Sequence, residues 1–132
     1  MYLLDTNICI YAMKDKYPAL TRKLLSKRPD HLFLSAVTVG ELEYGAAKSR
    51  WGGQNHDRML MFISSFIVLP FTKDDALLFG KPRAALAVMG TPIGAYDLMI
   101  ASQGIARNLT VVTHNLGEFQ RVPGIHLEDW TS

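Results

Sequence analysis

Cysteine is almost missing from this chain. Cys9 stands alone, so no intrachain disulfide can form and a secreted, disulfide-stapled framework is excluded. Long apolar runs are missing as well: the longest, Met59 to Phe71, is broken by Ser64 and Ser65 and is too short to span a bilayer as a helix. The start Met1-Tyr2-Leu3-Leu4-Asp5 carries no basic segment and meets a carboxylate at once, unlike an export signal. A soluble cytoplasmic protein with no membrane association is the expectation. Nor is there an excess of one charge. Fourteen Lys and Arg face twelve Asp and Glu, and a formal net charge of +2 does not mark a dedicated nucleic-acid binder. Zinc-ligand spacing is absent among Cys9, His31, His56, His114 and His126, and the four histidines are expected at the surface or partly packed. No repeat, low-complexity tract or linker interrupts the 132 residues, so a single domain spanning 1–132 is expected.

What is present is an ordinary globular balance, 48% apolar and 20% charged. Four short apolar segments rich in β-branched or aromatic residues read as buried strands: Tyr2–Leu4, His31–Ser35, Phe66–Pro70 and Leu109–Thr113. Helical patterns lie around Ile8–Met13, Ala19–Lys27, Val39–Lys48, Asp57–Ser64, Asp74–Val88 and Ala95–Ala106. Strands separated by helix-length stretches predict crossovers and a parallel sheet covered on both faces. The clusters Trp51-Gly52-Gly53 and Gly90-Thr91-Pro92-Ile93-Gly94 read as loops.

In such sheets function gathers where strands end and loops begin. Four segments meet that condition, and each also has a plain structural explanation. Asp5-Thr6-Asn7 follows the first strand, and either Asp5 or Thr6 can cap the next helix. Glu41 lies between Gly40 and Gly45, which leave room for a ligand, while Thr38 and Glu41 have capping-box spacing. Asp97 falls in the first turn of an otherwise apolar helix, where the helix dipole favours a carboxylate. Thr113-His114-Asn115 ends the last apolar strand, and Asn115 with Glu118 can form a reciprocal cap. Two carboxylates about 4 Å apart at an effective dielectric of about 20 repel by roughly 4 kcal/mol. Three or four gathered in one pocket therefore imply a cation, and an all-oxygen ligand set suits Mg²⁺ or Mn²⁺. Lys14, Lys16, Arg22, Lys23, Lys27 and Arg28 crowd one stretch with a single acid, Asp15, and read as a solvated face or as a phosphate-binding patch.

Leu4-Asp5-Thr6-Asn7, Glu41, Tyr96-Asp97 and Thr113-His114-Asn115, in this order, resemble the PIN-domain nucleases over essentially the whole chain. The Leu-Asp-Thr-Asn-Ile-Cys-Ile-Tyr start, the Pro-Ile-Gly-Ala-Tyr-Asp segment and the ending from Glu118-Phe119 to Glu128-Asp129-Trp130 look like bacterial VapC toxins. The resemblance implies a three-layer α/β/α fold with a mainly parallel central sheet and a homodimer. It implies a Mg²⁺- or Mn²⁺-dependent endoribonuclease, neutralised by a VapB-type antitoxin whose carboxyl-terminal segment covers the catalytic groove. The ending is similar to the branch that cuts initiator tRNA in its anticodon loop. On this resemblance Asp5 and Asp97 hold the metal, Glu41 binds it or orients the attacking water, and Glu118 acts at one remove. Thr6, Thr113 and Asn115 support them. One departure is Asn115, where many PIN domains have Asp; the fourth acidic function then passes to Glu118 or is lost. Two other readings fit parts of the sequence: a catalytically silent PIN-like module that grips RNA or a peptide, and a phosphohydrolase of the haloacid-dehalogenase type with Asp5 as nucleophile. The latter family normally has a second Asp where Asn7 stands.

Overall fold

Leu3 and Leu4 are neighbours, both fully buried, and they feed different cores. In the computed structural model, which describes residues 1–49 and 52–132, they belong to the central strand of one sheet. Side chains alternate across a strand, so Leu4, Leu34 and Val112 face one side while Leu3, Phe33 and Val111 face the other. The strands are β1 (Tyr2–Leu4), β2 (Leu32–Ser35), β3 (Ile67–Leu69), β4 (Thr110–Val112) and β5 (His126–Glu128), in the spatial order β3-β2-β1-β4-β5. Every pairing is parallel, with Leu4 opposite Leu34 on one side and Val112 on the other.

The helices are α1 (Thr6–Met13), α2 (Pro18–Ser26), α3 (Ala36–Ala47), α4 (Gly52–Ile63), α5 (Lys73–Val88), α6 (Ala95–Ala106) and α7 (Leu116–Phe119). Ile8, Leu20, Leu42 and Met59 carry α1 to α4 onto one face of the sheet; Leu86, Leu98, Ile100 and Phe119 carry α5 to α7 onto the other. Local chemistry starts several helices. Pro18 opens α2 with its φ already set, and Thr72 with Asp75 forms a complete capping box on α5.

From β1 the chain builds outward through β2 to β3, then returns to place β4 and β5 on the opposite side of β1. The crevice of an open parallel sheet lies at such a reversal, here beyond the carboxyl ends of β1 and β4. Helix α6 is held over it by polar anchors. Gln103 Nε2 donates to Pro70 O at 3.1 Å, and Arg107 pairs with the buried Asp75 of α5. Gly104 lets α6 lie close against β4: a Cβ there would sit 2.6 Å from Val111 Cγ2.

The expected strands and helices recur with ends shifted by a few residues. Gly52 and Gly53 depart from expectation, standing at the start of α4 rather than in a loop; Trp51 lies outside the described residues. Glycine costs least near a helix end, where few intrahelical bonds depend on it. Strand β5 and the one-turn α7 are additions.

The close approach at Gly104 predicts that Gly104→Val destabilises the fold by about 3 kcal/mol, through overpacking against a stiff β-branched neighbour. Gly104→Ala should cost less, because alanine's helix preference of about 1 kcal/mol offsets part of the clash. Urea denaturation measures both; an unchanged midpoint for Gly104→Val would contradict the contact.

Candidate active site

Asp5 leaves β1 directly into the crevice. Its backbone N–H bonds Val112 O at 3.0 Å, which continues the sheet by one step, and its side chain turns back to cap α1 by accepting from Ile8 N–H at 2.8 Å. The cap and the site role thus fall on one residue. Thr113 leaves β4 beside it: the Thr113 hydroxyl accepts from Asn115 N–H at 2.9 Å, which directs its own proton to Asp5. Only 3% of Asp5 is exposed. Burial raises its pKa to about 6; the bonds from Thr113 and Ile8 oppose that rise, and the charges of Glu41 and Asp129 add to it.

Asp97 enters on the first turn of α6. Its pKa is also raised to about 6, first by burial and then by the charges of Asp5, Glu118 and Glu41. The helix dipole pulls the other way, so desolvation and like-charge repulsion prevail here.

Glu41 sits on α3, whose cap is Ser35 at the end of β2, with Ser35 Oγ accepting from Val37 N–H at 3.0 Å. The helix therefore begins earlier than a Thr38 cap requires, and Thr38 and Glu41 do not form a capping box. Thr38 is fully buried inside α3 and faces Thr6 across 3.0 Å. Thr6 donates to Glu41 Oε1 at 2.7 Å, so its single proton is spent and Thr38 must be the donor in their mutual bond. The result is a directed chain from Thr38 through Thr6 to Glu41. A Cβ at Gly40 or Gly45 would meet nothing within 4 Å, so α3 is open on both flanks of Glu41.

Glu118, on α7, uses both carboxylate oxygens. Oε1 accepts the free N–H of Gly94 at the start of α6 at 2.8 Å, and Oε2 accepts from Asn115 Nδ2. Asn115 makes no side-chain cap, so the reciprocal cap expected of this pair is replaced by a direct side-chain bond. A Cβ at Gly94 would lie 3.8 Å from both Asp97 Oδ2 and Glu118 Oε1, which brings these two acids together beside that residue.

Asp5, Glu41, Asp97 and Glu118 thus meet at one crevice, with Thr6, Thr113 and Asn115 bonded to them. Among the described residues no three acids close to ligating distance of a common point. Three of the four are fixed by bonds, Asp5 to Ile8, Glu41 to Thr6 and Glu118 to Gly94 and Asn115, while Asp97 is placed by the first turn of α6. As a donor set they fit a hard divalent cation: every group is a carboxylate oxygen, and burial, with the neighbouring acids added to it, raises the pKa of two of them to about 6. Sequence reasoning gave no role to Asp129, and it named His114 only as part of the Thr113–Asn115 segment. Asp129 follows β5 and adds to the field on Asp5, and His114 Nδ1 lies 2.9 Å from Asp129 Oδ2.

The class that the fold and site define is an open parallel α/β sheet with carboxylates gathered at its switch point. The model of the PIN domain matches residues 2–125, and the chain belongs to that family. It is 43% identical to a tRNA(fMet)-specific endonuclease VapC of Salmonella typhimurium, covering 98% of this chain and 97% of that protein. It is 38% identical to ribonuclease VapC2 of Rickettsia felis, covering 98% of each. The toxin fold in the crystal structure of DNA-bound VapBC from Salmonella typhimurium superposes with a TM-score of 0.89 over 98% of this chain and 97% of that one. Membership of the PIN family displaces the haloacid-dehalogenase reading.

Asp5 and Asp97 bind protons more tightly folded than unfolded, since their folded values of about 6 exceed the ordinary 3.8. Their stabilising contribution is present below about pH 4 and is lost as pH rises through about 6. In the metal-free protein, Asp97→Asn should therefore flatten the fall in melting temperature between pH 4.5 and 7.5 and melt above the parent at pH 7.5. A variant that melts lower at pH 7.5 and keeps the full slope would contradict the strained pair.

Proposed function

We propose that this chain is a divalent-metal-dependent endoribonuclease of the VapC kind, with initiator tRNA as its preferred target. The observation that carries the reading is the convergence of Asp5, Glu41, Asp97 and Glu118 on the crevice between β1 and β4. The names of the relatives, at 43% and 38% identity over nearly the whole chain, support both the reaction and the substrate.

Asp5 and Asp97 hold the ion, Mg²⁺ or in its place Mn²⁺. Asp5 is buried away from competing water and oriented by Thr113, while Asp97 is half-buried and open to the crevice. When bound, the ion lowers the pKa of a water and offsets charge growing on the phosphate. Glu41, held by Thr6, either joins the ligands or orients the attacking water. Glu118 contacts Asn115 and Gly94 and so fixes the start of α6, which carries Asp97; it is a positioning residue. Hydrolysis by a water aligned against the leaving oxygen leaves a 5′-phosphate and a 3′-hydroxyl.

A groove of about 680 Å³ runs from Glu41 between α1, α3 and α4, lined by Ile10, Met13, Leu42, Met59 and Phe62. Its apolar walls beside the acids suit the carboxyl-terminal segment of a VapB-type antitoxin, in keeping with the VapBC complexes among the structural relatives. Helix α5 buries only Asp75 and Leu86 and leaves Leu77, Leu78 and Val88 exposed, with Met89 exposed just after it, which suits a homodimer face. No helix among the described residues is long and apolar enough to cross a membrane, and a cytoplasmic location is part of the proposal.

Purified protein incubated with total RNA and with initiator tRNA, with Mg²⁺ and then with excess chelator, tests the reading. Metal-dependent cuts with 5′-phosphate ends are expected, concentrated in the anticodon loop of initiator tRNA, and Asp97→Asn should reduce them to background. A 2′,3′-cyclic phosphate product, or cleavage indifferent to chelator, would overturn the mechanism. Binding without cleavage would favour the silent PIN-like module.

A further inference from the structure

The basic stretch between Lys14 and Arg28 is sorted by its neighbours. Lys27 is spent on Tyr2, donating from Nζ to its hydroxyl at 3.2 Å as well as lying over the Tyr2 and Trp130 rings, and Arg28 is paired with Asp30. Lys14 lines the groove beside Glu41. The side chains of Arg22 and Lys23 have no polar partner among the described residues; they border a depression of about 350 Å³ together with Trp130 and Ser132. Lys16 lies 4.7 Å and 5.5 Å from the ring centroids of Tyr11 and Tyr17.

These groups connect to the acids through His114, the residue after Thr113. A carboxylate only accepts, so the bond to Asp129 Oδ2 fixes the His114 proton on Nδ1, and Thr131 Oγ1 stands 3.0 Å from the same nitrogen. Nε2 has no partner among the described residues, and the side chain is 46% exposed. The ring lies 5.5 Å from that of Tyr17, tilted by 50°, and 6.3 Å from that of Tyr11. Tyr17, beside His114, is the cap residue of α2, the helix that carries Arg22 and Lys23 on to the depression over the buried Trp130. One surface therefore leads from the acids over a fixed aromatic ring to unpaired cations. Asp15, the acid within the basic stretch, is turned away to accept from Thr21 at 2.8 Å.

We propose that this surface is a binding track for the single-stranded RNA flanking the cut, with a base stacked on His114 beside Tyr17 and phosphates met by Lys16, Arg22 and Lys23. Single-stranded nucleic acid is held in this way, by stacking on ring faces and by cations along the backbone. The inference rests on the ribonuclease reading for its substrate but not for its test, which reads binding.

The test uses the full chain in the Asp97→Asn background, so that RNA stays intact, with a labelled single-stranded RNA of about twelve nucleotides, within the usual range of single-strand sites. His114→Ala should weaken binding about tenfold, the effect of losing one stacked base, while His114→Phe stays within about threefold. Arg22→Ala with Lys23→Ala should lower the slope of log affinity against log salt by about 1.4, the value for two lost phosphate contacts on a single strand. Melting temperatures are recorded alongside, and cleavage by the parent is assayed separately. Unchanged affinity in all variants overturns the track even if the parent cleaves RNA. Equal losses in His114→Ala and His114→Phe overturn stacking and leave a packing role. Loss of antitoxin binding with RNA binding intact also overturns the proposal, because the surface then serves a protein. If the parent cleaves no RNA but the variants separate as stated, the track stands and the nuclease reading falls.

Discussion

Like-charge repulsion in a desolvated crevice is the constraint that the rest of this structure answers. Carboxylates pressed together out of water either take up protons, find a cation or move apart. Asp5 and Asp97 do the first in the metal-free chain, with pKa values near 6, and the cluster as a whole stops short of ligating distance. What keeps the acids from separating further is the sheet. Asp5 is tied to β4 through its backbone and to α1 through its side chain, so it has no freedom to retreat.

The other acids are held by elements that the two cores fix. Helix α6 brings Asp97 to the crevice because Gly104 permits close contact with β4 and because Gln103 and Arg107 tie its far end to the loop after β3 and to α5. Helix α3 brings Glu41 from the end of β2, and the hydroxyls of Thr38 and Thr6 settle where its carboxylate points. Glu118 links α7 to the first turn of α6. Burial and hydrogen-bond direction thus convert scattered positions in the chain into one acidic site, whose all-oxygen donor set is the basis on which a divalent ion is proposed.

Much of this was legible in the residues alone. Continuous apolar runs such as Thr110-Val111-Val112 mark buried parallel strands, and a carboxylate emerging from such a run, as Asp5 does, stands out. Asp97 was visible for the same reason, as a charge in an apolar helix. Thr38 was misleading: its spacing to Glu41 matches a capping box, but Ser35 lies one strand end earlier and caps just as well. Strand β5 offered a single apolar residue, Leu127, between His126 and Glu128, too little to distinguish an edge strand from a loop. The pairing of His114 with Asp129 was beyond reach, since the two meet only because β4 and β5 run side by side.

Carboxyl-carbon NMR titration of Asp5 and Asp97, with and without Mg²⁺, addresses the central claim most directly. The account predicts midpoints near pH 6 for both in the metal-free protein, and a downward displacement of both once the ion is present. Midpoints at the ordinary value for aspartate, unmoved by Mg²⁺, would contradict it.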